Sequence, residues 1–148
     1  MMKEVKISGE REWEKLHRDG DVEVVVRNQD FTGLNFLEWN FDKVTFIHCD
    51  MGSCRMVDCS FLKSTFINCN CEWTNFKGSL MVGMTMKKCK CEGASFKNCD
   101  LDRSTLKNND FTGVRWKGAS VYAIKFSNCK VDSLHPIVGT DMKGKEVE

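Results

Sequence analysis

Cysteine is the residue type whose number and spacing here invite chemistry, with nine among 148 residues. Cys69 and Cys71, then Cys89 and Cys91, form two Cys-x-Cys pairs twenty residues apart, and Cys49 lies twenty before Cys69. Four thiolates in a tetrahedron would hold a zinc-like ion, given room and outer hydrogen-bond donors. A disulfide framework of the secreted kind is the other use for many thiols, and an odd number leaves one over. His17, His48 and His135 are scattered. His48 beside Cys49 would make a nucleophile–base pair only if both side chains faced the same way. There is no glycine-rich phosphate loop, carboxylate pair or Ser-His-Asp arrangement. What the thiols do therefore depends on the elements that carry them.

The chain has the length of one domain, and 41% of its residues are hydrophobic, enough for a core. A net charge of +1 gives no overall pull towards nucleic acid or an acidic membrane. No apolar run reaches bilayer length and no basic-then-apolar leader opens the chain, so a cytoplasmic location and no membrane partner are expected. The single proline, Pro136, sits near the C-terminus. Loops usually contain proline, so its absence before that point predicts long regular structure.

A repeat of five residues supplies that structure. Every fifth residue from Val26 to Val131 is apolar, without insertion or slip. All ten phenylalanines fall on this series, so the predicted core is Phe31, Phe36, Phe41, Phe46, Phe61, Phe66, Phe76, Phe96, Phe111 and Phe126, joined by Trp116. On an α-helix residues five apart wander around the cylinder, and on a straight strand they alternate between faces. A period of five buries one side only if the chain turns a corner in each repeat. A second series two residues earlier runs from Leu34 through Trp39, Val44, Cys49 and Cys54 to Cys129, and is mostly small or apolar. Two positions two apart is strand spacing, so both point inward.

All nine cysteines fall on these two inward series. A thiol in a narrow apolar core is a small hydrophobe, so reduced buried cysteines, no metal and no cofactor are expected. His48 is predicted outward while Cys49 points inward, which breaks the pair. Catalysis is not expected.

Aligning the chain at intervals of twenty brings Thr45-Phe-Ile-His-Cys49 onto Thr65-Phe-Ile-Asn-Cys69 and Thr85-Met-Lys-Lys-Cys89. Asp30-Phe-Thr-Gly returns as Asp110-Phe-Thr-Gly. A coil of four five-residue sides accounts for both. Stacked as parallel strands about 4.8 Å apart, about five coils make a rod. The pattern resembles the pentapeptide-repeat family, whose repeat is written A-(D/N)-L-x-x, in Ala94-Ser95-Phe96-Lys97-Asn98 and Cys99-Asp100-Leu101-Asp102-Arg103. The resemblance spans Val26 to about Leu134. It implies an all-β solenoid, a right-handed quadrilateral parallel β-helix.

The ends of such a rod expose strand edges that need covers. Residues 1–25 read as an N-terminal cap: Ser8 caps a short helix over Glu10 to Arg18, with Trp13 and Leu16 on one face, and a strand leads into the coil. Residues 26–135 are the β-helix. Residues 136–148 are a closing segment and polar tail.

Function must lie in the outward positions. Stacking turns these into columns: Leu37, Val57, Lys77, Lys97 and Lys117 in one, Ile47, Ile67, Lys87 and Lys107 in another. Outward residues thus change from apolar to basic along the rod. Either the N-terminal helix covers Leu37, Ile47, Val57 and Ile67, or they form a patch for a protein partner or a second copy. In the second case Trp73 is the anchor and Lys77, Lys97 and Lys117 steer an acidic partner. A protein-binding scaffold is the reading that needs least. The resemblance supplies an alternative, since some members resemble B-form DNA in size and charge and bind type II topoisomerases, DNA gyrase or topoisomerase IV. That activity wants a strongly acidic surface, whereas the repeat region is mildly basic. Direct nucleic-acid binding is not expected, because the lysines are not interleaved with exposed aromatics.

Overall fold

The computed structural model describes residues 2–17 and 23–132. Strand β1 (Met2–Glu4) and helix α1 (Glu10–His17) precede β2 (Glu23–Arg27). Then come β3 (Val44–Ile47), β4 (Thr65–Ile67), β5 (Thr85–Lys87), β6 (Thr105–Lys107), β7 (Asp110–Phe111), β8 (Lys125–Ser127) and β9 (Lys130–Val131). One seven-stranded parallel sheet runs β1-β2-β3-β4-β5-β6-β8. From β3 onward the register steps by twenty, Phe46 onto Phe66 onto Met86 onto Leu106 onto Phe126. The other sides are tied by bridges at the same step, such as Asp30 to Asp50, Asn35 to Arg55 and Asn40 to Ser60. The chain is therefore an all-β parallel solenoid with four faces per coil. The strand face holds residues 25–29 and their equivalents, the second face 30–34, the third 35–39 and the fourth 40–44.

About six turns are present rather than five. The strand face is sampled at both ends of the repeat, and β1, which lies outside it, adds a further rung on β2.

The corner is made by one residue. Every fifth residue from Asn28 to Asn128 has φ between 51° and 78°, and fifteen of these are not glycine. Left-handed backbone is uncommon outside glycine, so repetition must compensate for it. On most turns the N–H three residues after an inward residue returns to that residue's carbonyl, as Leu34 does to Phe31 at 3.0 Å and Thr74 to Cys71 at 3.2 Å. This is a type II turn, which requires positive φ at its third position. The residue before the central inward one is often Asp or Asn because its side chain accepts the N–H two residues on, as Asn40 does from Asp42 at 2.8 Å and Asn70 from Glu72 at 3.0 Å.

The core follows from coil length equalling repeat length, which places rings on rings. Phe46 and Phe66 stack at 5.0 Å, Phe76 and Phe96 at 5.1 Å, Phe96 and Trp116 at 5.1 Å. All the predicted core aromatics are buried except Phe126, which is half-buried in the last coil. Leu34 departs from the inward pattern: it is 50% exposed, because no earlier coil lies above that side.

At the N-terminal end α1 begins at Glu10, where the sequence suggests, but its cap lies one residue later than expected. The carbonyl of Gly9, not Ser8, accepts the first helical N–H, from Trp13 at 3.1 Å. Trp13 is buried, donates from Nε1 to the Asn40 carbonyl at 2.7 Å and lies 5.5 Å from the Phe41 ring. Ile7 joins it, its backbone clasped by the Gln29 amide through bonds of 2.9 and 2.6 Å. Arg18 and residues 136–148 fall outside the described residues.

Candidate interaction surface

The thiols are placed by the stack. Cys49, Cys69 and Cys89 share one inward column, Cys71 and Cys91 another, and all five are buried. Side chains of the second inward series do more than fill space. They donate to the carbonyl of an inward residue one coil earlier: Thr74 to Met51 at 2.7 Å, Ser79 to Met56 at 2.8 Å, Cys99 to Phe76 at 2.9 Å. This explains why Cys, Ser and Thr recur there: each is small enough for the core and carries a donor for a buried acceptor. Asn109 is the position that sequence reasoning passed over. Buried in the same series, it donates to the Met86 carbonyl and accepts the Cys89 N–H, both at 2.9 Å. Its signal was the period itself, since Asn109 sits where Cys49, Cys69 and Cys89 sit.

Burial pushes the thiols of Cys54, Cys59 and Cys99 up to about 11, 12 and 12 from an ordinary 9.0. The hydrogen bond between stacked sulfurs, then burial, raises Cys49 and Cys71 as well. A neutral thiol is neither metal ligand nor nucleophile. Among the described residues no group of three or more His, Cys, Asp or Glu is placed to hold a metal ion. His48 is exposed while Cys49 is buried, so they form no pair. Unfolded, these thiols ionise from about pH 9; folded, they keep their protons, so their stabilisation is complete below pH 9 and is lost as pH rises towards 12. Melting temperature is expected to be flat near neutrality and to fall above about pH 9.5. A thiol reagent at pH 8 should label few sites natively and nine in denaturant; rapid labelling of all nine in native protein would contradict this burial.

Outward residues are divided among faces. Leu37, Val57, Lys77, Lys97 and Lys117 form one column on the third face, with Leu37 48% exposed, Val57 and Lys97 half-buried and the other two lysines exposed. Trp73, 63% exposed, stands at the corner where the second face meets the third. Its ring occupies the space above Gly93, where an added Cβ would meet it at 2.5 Å, so that corner must be glycine. Ile47 and Ile67, half-buried, lie on the strand face, on the opposite side of the square. The four apolar residues are thus two pairs rather than one patch, and Trp73 borders only the third-face pair. Trp13 of α1 is turned onto the end of the core, and Leu37 stays exposed beside Leu34.

Among the described residues no helix is long and apolar enough to cross a membrane. Two family patterns match the chain: a pentapeptide repeat region over residues 26–95, and pentapeptide repeats in eight copies over residues 86–130. No curated protein matches it in sequence. Among solved structures it is similar to Rfr23, a pentapeptide repeat protein from the cyanobacterium Cyanothece 51142, at 11% identity and a TM-score of 0.52, covering 76% of this chain and 90% of that one. It is also similar to a trypsin-treated variant of QnrB1, a plasmid-mediated fluoroquinolone resistance protein, at 16% identity and a TM-score of 0.52, covering 85% and 81%. Identities this low speak to the fold alone. With the five-residue register, the twenty-residue rungs and the family patterns spanning 26–130 all in agreement, this chain belongs to the pentapeptide-repeat family.

Proposed function

We propose that the protein is a non-catalytic scaffold that binds a protein partner through its third face. The observation that carries this reading is the column that changes from Leu37 and Val57 to Lys77, Lys97 and Lys117, with Trp73 on its border. An exposed tryptophan beside an apolar strip offers contact area, and lysines at rung spacing favour a partner with carboxylates at its matching end. Outward columns contribute little to the core, so they can be altered without unfolding the rod.

The test compares wild type with a K77E/K97E/K117E variant, first in capture from lysate and then by titration of the purified partner. Binding is expected to weaken at least roughly tenfold, since charge reversal adds repulsion to lost attraction, with an unchanged far-UV spectrum and melting temperature. Equal affinity of the two proteins would sink the assignment of this face. A DNA-mimic acting on gyrase is the rival reading, and the third face argues against it with Arg55, Lys77, Lys97, Arg115 and Lys117 against Glu38 and Asp58. Inhibition of purified gyrase in a supercoiling assay would reverse that preference.

A further inference from the structure

Charge on this rod is sorted by face. Residues 25–29, 45–49, 65–69, 85–89, 105–109 and 125–129, which form the strand face of the repeat, contain no aspartate or glutamate; Glu4 lies on the added β1 rung at its N-terminal edge. The repeat residues of this face carry Arg27, Lys87, Lys88, Lys107 and Lys125, all exposed. The adjoining second face is the reverse: Asp30, Asp50, Glu72, Glu92, Asp110 and Asp132 stand against Lys90 and Lys130. Both faces have the same rung spacing and length because they belong to the same coils.

We infer that the strand face of one copy docks on the second face of another, and that four parallel copies close into a ring. The two faces of the same chain are complementary in charge, which makes a second copy the occupant. With rods parallel and level, Lys87 and Lys88 meet the rung of Glu92 and Lys90, and Lys107 that of Asp110, while Arg27 keeps its own pair with Glu4 at 3.8 Å. Ile47 and Ile67 meet the rungs of Asp50 and Glu72. The strand and second faces are at right angles on a square rod. Each parallel copy is therefore turned a quarter circle from the last, and the fourth returns to the first with every strand face and second face used. An antiparallel pairing of the same two faces steps sideways and never closes. Closed point-group assemblies are the rule for soluble homo-oligomers. The third and fourth faces remain outside, so the assembly would display the proposed partner surface four times. Exposed ion pairs contribute little each and are screened by salt, so the ring forms at low ionic strength and high protein concentration.

Sedimentation velocity tests this with wild type and two charge-reversed variants, K87E/K107E on the strand face and E72K/E92K on the second. Wild type should approach four times the 17.0 kDa chain mass at about 0.02 M salt and return to the monomer at about 0.5 M. Each variant alone should stay monomeric, with its far-UV spectrum unchanged. Mixed in equal amounts they should recover the four-chain species, because each reversed face then meets a complementary one. Monomeric wild type at low salt, a four-chain species from either variant alone, or a mixture that stays monomeric would overturn the inference. So would a two-chain species indifferent to salt.

Discussion

Replacing Phe66 with Asp is expected to abolish the folded rod. The Phe66 ring is fully buried, stacked on Phe46 at 5.0 Å and tilted against Phe61 at 5.5 Å, midway along the rod. No cation of the described core lies at that level to receive a carboxylate. The change combines loss of an aromatic side chain with burial of an unpaired charge, each worth several kcal/mol, against a total stability of about 5–15 kcal/mol for a typical domain. Far-UV circular dichroism and thermal melting provide the readout. A soluble Phe66→Asp protein with a cooperative melt near the wild-type temperature would mean that Phe66 does not face the core.

The second large effect concerns the cap. Trp13→Ala removes the side chain that closes the N-terminal end and leaves the Asn40 carbonyl without its 2.7 Å donor. Aromatic-to-alanine changes in cores cost about 3–5 kcal/mol, which for a chain of this size lowers Tm by on the order of 10 °C. Because a solenoid is stabilised rung by rung, fraying should start at this end. Amides near Phe31, Phe36 and Phe41 should lose hydrogen-exchange protection before those near Phe96. Uniform loss along the rod, or none, would contradict a capping role.

Much of this architecture was legible because one number, five, governs it. Phe31 to Phe126 name the core, and Thr45, Thr65, Thr85 and Thr105 give the coil length, since both follow from stacking alone. What the sequence concealed depends on ends and on backbone. Leu34 fits the inward series, yet it is exposed because inwardness requires a coil on either side. Gly9 rather than Ser8 caps α1 because the choice rests on which carbonyl is free to accept. The left-handed corner was hidden most thoroughly, occupied as it is by Lys43, Asp58, Arg103 and Ala123 as readily as by Gly113. Composition cannot announce a conformation that the surrounding ladder imposes. Columns such as Ile47–Ile67 and Leu37–Val57 were visible individually, but their placement on opposite sides is a matter of three dimensions.

The uniform corner also decides how such a gene can change length. Duplicating one coil's worth of codons adds a rung and leaves every downstream side chain on its own face. Inserting a single repeat is as harmless to the core, since most corners carry residues other than glycine, but it rotates everything that follows by a quarter turn. Lys97 and Lys117 would then move from the third face to the fourth while Lys77 stayed behind. Lineages carrying such insertions would keep the fold and exchange their surfaces, so ancestry in this architecture is better traced by phase than by residue identity.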